Sequence, residues 1–124
     1  MIKGKFVDKS PRIKADITKN GKVALGKGKD FIIVDSGFNG DICAPPEVFD
    51  KLDLLYVATT KYQLADGSIV WKDMFAGEVI LSKNSYEALF IEGDFLLGMD
   101  IASKLFSYFL INFDTNKVEL KIKS

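Results

Sequence analysis

Apolar and polar residues alternate along much of this chain with the two-residue period of a half-buried strand. Ile13, Ala15 and Ile17 interleave with Lys14, Asp16 and Thr18, and Lys19-Asn20-Gly21 then supplies a hairpin turn ahead of Val23 and Leu25. The same punctuation recurs twice. Ala65-Asp66-Gly67-Ser68 separates the apolar runs over residues 56 to 64 and 69 to 81, and Asp114-Thr115-Asn116-Lys117 separates residues 108 to 113 from 118 to 122. Helical spacing is scarce. Pro46 suits a first turn before Glu47 to Leu52, while Ile101 and Leu105 share a face, four residues apart, within Met99 to Phe106. The pattern predicts a mostly β domain built on hairpins, with one short C-terminal helix over 99–106.

At 124 residues the chain has the length of one domain, 1–124, able to bury roughly two-thirds of the surface that its unfolded form exposes. Lys plus Arg and Asp plus Glu both number 17, so no overall field gathers nucleic acid or an anionic membrane. The charge is uneven along the chain, with a net +5 over residues 1–40, −7 over 41–100 and +2 over 101–124, a distribution that solvated surface explains. No apolar window reaches the eighteen or so residues of a membrane span. Residues 105 to 113 come nearest and are interrupted by Ser107, Tyr108 and Asn112. Cys43 is the single cysteine and so has no intrachain disulfide partner. No long apolar stretch follows the two lysines near the N-terminus. The expectation is a cytoplasmic protein with neither a nucleic-acid nor a membrane partner.

Chemistry is narrowed by the absence of histidine. Ser-His-Asp and Cys-His nucleophile pairs and His-Glu-x-x-His zinc sites all need an imidazole, which leaves carboxylate chemistry. Residues 31 to 37 read Phe-Ile-Ile-Val-Asp-Ser-Gly, so an apolar run delivers Asp35 at its end. A carboxylate leaving a buried strand is costly unless its charge is stabilised or used. A strand-end Asp accepting turn hydrogen bonds, followed by a plain Ser36-Gly37 turn, would account for the same residues without catalysis. The run from Gly21 to Gly28 comes within one residue of a phosphate-binding loop. Gly28 stands where a hydroxyl would meet magnesium, and Asp30 to Val34 reads as strand, so no helix N-terminus follows.

Three features in order resemble a retropepsin-like aspartic protease, the family of half-size pepsin relatives that work as homodimers. They are the strand ending in Asp35-Ser36-Gly37, the polar-tipped hairpin around Asp66-Gly67, and Phe95-Leu96-Leu97-Gly98 leading into the Met99 to Phe106 helix. The likeness runs from about Arg12 to about Leu120 and is closest to small archaeal and bacterial cellular members, through Asp35-Ser36-Gly37-Phe38-Asn39-Gly40, Pro45-Pro46 and Leu97-Gly98-Met99-Asp100.

The resemblance implies a single-lobe acid-protease β-barrel forming one half of a two-fold dimer. It implies peptide hydrolysis by an Asp35 pair sharing one proton across the axis, with no metal or organic cofactor. Ser36 would hydrogen-bond across the dimer, and Gly37 would let a backbone N–H approach the carboxylates. Phe38, Ile42 and Leu97 would line the pocket, and backbone groups of Ala65, Asp66, Gly67 and Ser68 would close over an extended peptide or unfolded-protein substrate. Tyr62 and Trp71 are further subsite candidates, although such aromatics more often serve a core. Retroviral members carry an acidic residue and an arginine that brace the dimer where this chain has Asn39 and Met99. Dimerisation would therefore rest on other contacts, such as the N-terminal strand and the strand at 118–122.

Two other readings remain at this level. One keeps the fold, dimer and cleft as a peptide-binding module without turnover. The other is an unrelated small β-barrel for interaction or nucleic-acid binding, which would need a basic face interleaved with aromatics. Residues 3 to 29 lack such aromatics apart from Phe6.

Overall fold

Tight turns fix how the strands pair. The computed structural model describes residues 1–24 and 31–124; Leu25, Gly26 to Gly28 of the phosphate-loop-like run, and Asp30 lie outside the described residues. β1 (Ile2–Val7) meets β2 (Ser10–Lys19) through Asp8-Lys9, both at positive φ, and β2 meets β3 (Lys22–Val23) through Asn20-Gly21, also both at positive φ. Two such residues twist a two-residue loop the way the flanking strands twist. β4 (Phe31–Val34) and β5 (Ile42–Ala44) precede α1 (Pro46–Leu52). Then come β6 (Leu55–Gln63), β7 (Ile69–Leu81), β8 (Asn84–Glu92), β9 (Leu96–Leu97), α2 (Met99–Leu105), β10 (Phe106–Asn112) and β11 (Lys117–Ile122). The chain is thus mostly β, and the three hairpins expected from turn chemistry are present.

Two helices form among the described residues where a single C-terminal one was expected. α1 is stabilised by its surroundings. Pro46 sits at the helix start, where a missing N–H costs nothing. Val48 and Leu52, four residues apart, are buried in the core, and Lys51 donates to the carbonyl of Ala24. No helix among the described residues is long and apolar enough to cross a membrane.

The strands lie in the order β10-β11-β1-β2-β4-β9-β5-β8-β7-β6, and β7 pairs a second time with β2 from Ala15↔Leu81 to Thr18↔Glu78. The β4–β9 and β5–β8 pairings are parallel and the rest antiparallel. The space between is filled by Ile13, Ile17, Ile32, Val34, Ile42, Leu81, Phe90 and Leu97, none more than 2 % exposed. Each such side chain contributes on the order of 1.5–3 kcal/mol by leaving water. Asp16 and Thr18, polar members of the β2 alternation, are buried too. Asp16 accepts the N–H of Ile17 and Thr18 donates its hydroxyl to the carbonyl of Lys22.

β1 lies between β11 and β2, and β11 between β10 and β1, so both have paired neighbours on each side. The edges at the two ends of the pairing order belong to β10 and β6. Contact between copies through β1 or β11, as expected from the sequence, would therefore use side chains rather than a free strand edge.

Candidate functional site

Asp35 is delivered by the parallel pair of β4 and β9. The N–H of Ile33 donates to the carbonyl of Phe95 at 3.2 Å and that of Asp35 to Leu97 at 2.9 Å. Beyond the strand the chain turns sharply, with the Phe38 N–H on the Asp35 carbonyl at 3.2 Å and the Gly37 N–H on Asp35 Oδ1 at 2.9 Å. The carboxylate is half-buried and holds a turn amide, so the turn reading of Asp35-Ser36-Gly37 is correct as local structure. Among the described residues Oδ2 accepts no hydrogen bond.

The loop after Asp35 is fastened from below by α2. Gly98 donates to the carbonyl of Asp41 at 2.8 Å, Met99 to Phe38 at 2.8 Å and Asp100 to Gly40 at 3.2 Å. These are first-turn amides that a helix cannot satisfy internally, and α2 has no side-chain cap, so the loop carbonyls cap the helix while the helix fixes the loop. Asp41 ties the same loop to β8 by accepting the Leu89 N–H on Oδ2 at 3.0 Å; its Oδ1 is buried without a hydrogen-bond partner among the described residues.

Above Asp35, beyond the Phe75↔Phe90 pair, β7 leaves β8 and continues with β6 alone as a two-stranded ribbon. The ribbon tip closes through Leu64 N–H to Ser68 O at 2.8 Å and Gly67 N–H to Leu64 O at 2.9 Å. Asp66 Oδ1 accepts both the N–H and the hydroxyl of Ser68, which hold its carboxyl below the usual range. Between loop and ribbon lies a cavity of about 440 Å³, lined by Asp35, Gly37 and Phe38 from the loop and by Tyr62, Leu64, Ala65, Val70 and Lys72 from the ribbon. Cys43, Ile91, Glu92, Gly93 and Leu96 complete its wall.

The cavity brings together Asp35, Gly37, Phe38 and Ala65, all singled out from the sequence. Ile42 and Leu97 it does not. They face each other across the β5–β9 pair at 0 % exposure, within the core, and the adjacent pair Cys43↔Leu96 lines the cavity instead. Strand alternation sends neighbours to opposite faces, so on these two strands the residues facing the cavity are Cys43 and Leu96 rather than Ile42 and Leu97. Asp66, Gly67 and Ser68 form the exposed tip beyond the cavity. Trp71 points to the ribbon's other face, 66 % exposed, with the Lys61 ammonium 5.7 Å from its ring. Val70 and Lys72 went unnoticed although the same alternation implies them.

Ser36 is exposed and opens on a second space, of about 480 Å³, on the other side of Asp35, lined by Phe6, Pro11, Phe109, Ile111 and Phe113 among others. Tyr62 packs 6.3 Å from the Phe38 ring and donates to Met74 Sδ; burial first, then Asp41, Asp100 and Cys43, push its hydroxyl pKa up. Burial likewise pushes the Cys43 thiol up to about 11, so it is protonated and a weak nucleophile at neutral pH. Among the described residues no group of three or more Cys, Asp or Glu is gathered to hold a metal. A comparison with protein-family models finds no match to this chain, and a comparison with curated proteins finds none either.

Proposed function

We propose that the protein is an aspartic endopeptidase, a single-lobe retropepsin-like barrel that becomes active as a two-fold homodimer. The observation that carries this reading is the cavity itself: a strand-end carboxylate, steadied by the Gly37 amide, lines a cleft whose opposite wall is a two-stranded ribbon. Pocket, carboxylate and lid are the parts that water-mediated peptide hydrolysis requires.

Asp35 of one chain would face the partner's Asp35 across the axis. Two carboxyls so close share one proton, because like charges at that distance do not both ionise. The ionised one takes a proton from water as the water attacks the peptide carbonyl, and the protonated one donates to the developing oxyanion. Proton transfer of this kind is worth on the order of 10² to 10⁴ in rate. Exposure of Ser36 beside Asp35, next to an apolar hollow rimmed by Phe6, Phe109 and Phe113, favours that side for the second chain. The ribbon's peptide groups near Ala65 pair with an extended substrate in the manner of an added strand.

The test is digestion of an unstructured protein at mildly acid pH by the wild type and by Asp35→Asn. Cleavage is expected from the wild type and not from the folded variant. Retained cleavage by a pure variant overturns the reading, and peptide binding without cleavage by the wild type replaces it with a binding module.

A further inference from the structure

Lys72 stands on β7 on the same side as Val70, two residues away, and lines the cavity that Asp35 enters. It is half-buried, and its ammonium donates to the backbone carbonyl of Glu92 at 3.3 Å. Among the described residues that is its hydrogen-bonding partner, and no carboxylate lies within ion-pair distance of it. An ammonium carries three donors, so a long bond to one neutral oxygen leaves two for another acceptor. The charged groups sharing the wall are Asp35, at the catalytic end, and Glu92, whose side chain is exposed. The field of Lys72 reaches into the cavity, where it opposes the effect of burial on the Cys43 thiol. Around it the wall is apolar, with Leu64, Val70, Ile91 and Leu96.

We infer that Lys72 determines specificity in this cleft, pairing with a substrate carboxylate beside an apolar residue seated against Leu64, Val70 and Ile91. The inference rests on the peptidase reading for its substrate class. The carboxylate comes either from an Asp or Glu side chain or from a peptide's free C-terminus, since both present the same two oxygens. An ammonium whose hydrogen bond among the described residues is a long one to a neutral carbonyl gains a charge-assisted bond from such a partner.

The test is a set of peptides of one apolar sequence carrying Glu or Gln at each position around the cleaved bond, each with a free or amidated C-terminus. The quantity read is the ratio of kcat/KM between the acidic and neutral members of a pair. A ratio of about ten is expected for the wild type, the factor of one added charge-assisted hydrogen bond. It should fall to about one in Lys72→Met, persist in Lys72→Arg, and drop below one in Lys72→Glu. If amidation rather than the Glu-to-Gln change removes the preference, the terminal carboxylate is the recognised group. An equal ratio in wild type and Lys72→Met overturns the inference. The same peptides, labelled and titrated onto Asp35→Asn by fluorescence anisotropy, separate it from the peptidase reading. A Lys72-dependent binding ratio without cleavage by the wild type keeps the charge selection and ends the peptidase, whereas cleavage or binding indifferent to Lys72 ends the charge selection.

Discussion

A Cβ on Gly98 would stand 2.1 Å from the carbonyl oxygen of Gly40, closer than any side-chain carbon approaches a backbone oxygen. It would also lie 2.8 Å from the carbonyl oxygen of Phe38, so neither obstacle is the free end of a side chain that could swing away. That bare backbone lets the first amides of α2 reach the loop carrying Asp35. Gly98→Ala should therefore cost more than the roughly 1–3 kcal/mol typical of overpacking. Chemical denaturation checks it: a marked fall in midpoint is expected, and an unchanged midpoint means that the loop and helix are not held together at this point.

The hairpins visible in the sequence are those whose turns contain glycine or asparagine at the turning position, Asn20-Gly21, Asp66-Gly67 and Asn116. Asp8-Lys9 and Ser82-Lys83 turn as well, but Asp8, Lys9 and Ser82 take positive φ with neither glycine nor asparagine at those positions, so the sequence pattern does not delimit β1 and β8. β5 was hidden for another reason. Its three residues pair with β8 and β9, more than forty positions away, and three buried residues in a row carry no alternation to read. In strands of two or three residues the sequence does not tell which side chains face the cavity, as at Ile42 and Leu97, whereas Asp35 is set off from an apolar run by a change of chemistry.

Ser36→Ala tests the face on the far side of Asp35. The hydroxyl is exposed in the single chain, so its removal should leave monomer stability within about 0.5 kcal/mol, the usual range for surface changes. If the proposed dimer forms through this face, association should weaken, because a partner group facing the hydroxyl would lose its hydrogen bond. Specific activity of the wild type should fall on dilution in step with dimer dissociation, and that of the variant should fall at higher concentration. Sedimentation and rate measured on the same dilution series decide it; constant specific activity in a monomeric sample contradicts the dyad.

Cys43 makes a pH prediction. The thiol is 7 % exposed with its sulfur packed against Gly93, where a Cβ would lie only 2.5 Å away, and burial raises its pKa from 9.0 to about 11. The unfolded chain ionises first as pH rises, so the folded state loses relative stability there. The contribution is fully present below pH 9.0 and is lost as pH climbs through about 11. Stability curves of wild type and Cys43→Ala should thus converge over that range, with the variant lower at neutral pH for its lost packing. Parallel curves would show that the buried thiol is not the titrating group.

Gly67 closes the ribbon tip at φ +88°, and nothing lies within 4 Å of where its Cβ would be. A side chain there has room, so Gly67→Val is disfavoured through the backbone alone, at about 1–3 kcal/mol for a β-branched residue in a left-handed conformation. The turn can relax, because Leu64, Asp66 and Ser68 around it are exposed and its hydrogen bonds involve few partners. A relaxed tip no longer presents the Ala65 peptide groups over the cavity at the geometry set by the Leu64–Ser68 bond. Turnover should then fall by about tenfold or more, since each 1.36 kcal/mol of lost transition-state stabilisation is one decade in rate. The thermal midpoint should drop by only a few degrees. Measuring both on one preparation separates the roles: full activity with a shifted midpoint means that the ribbon is not the lid, and activity lost only in proportion to unfolding means that Gly67 shapes the fold and nothing more.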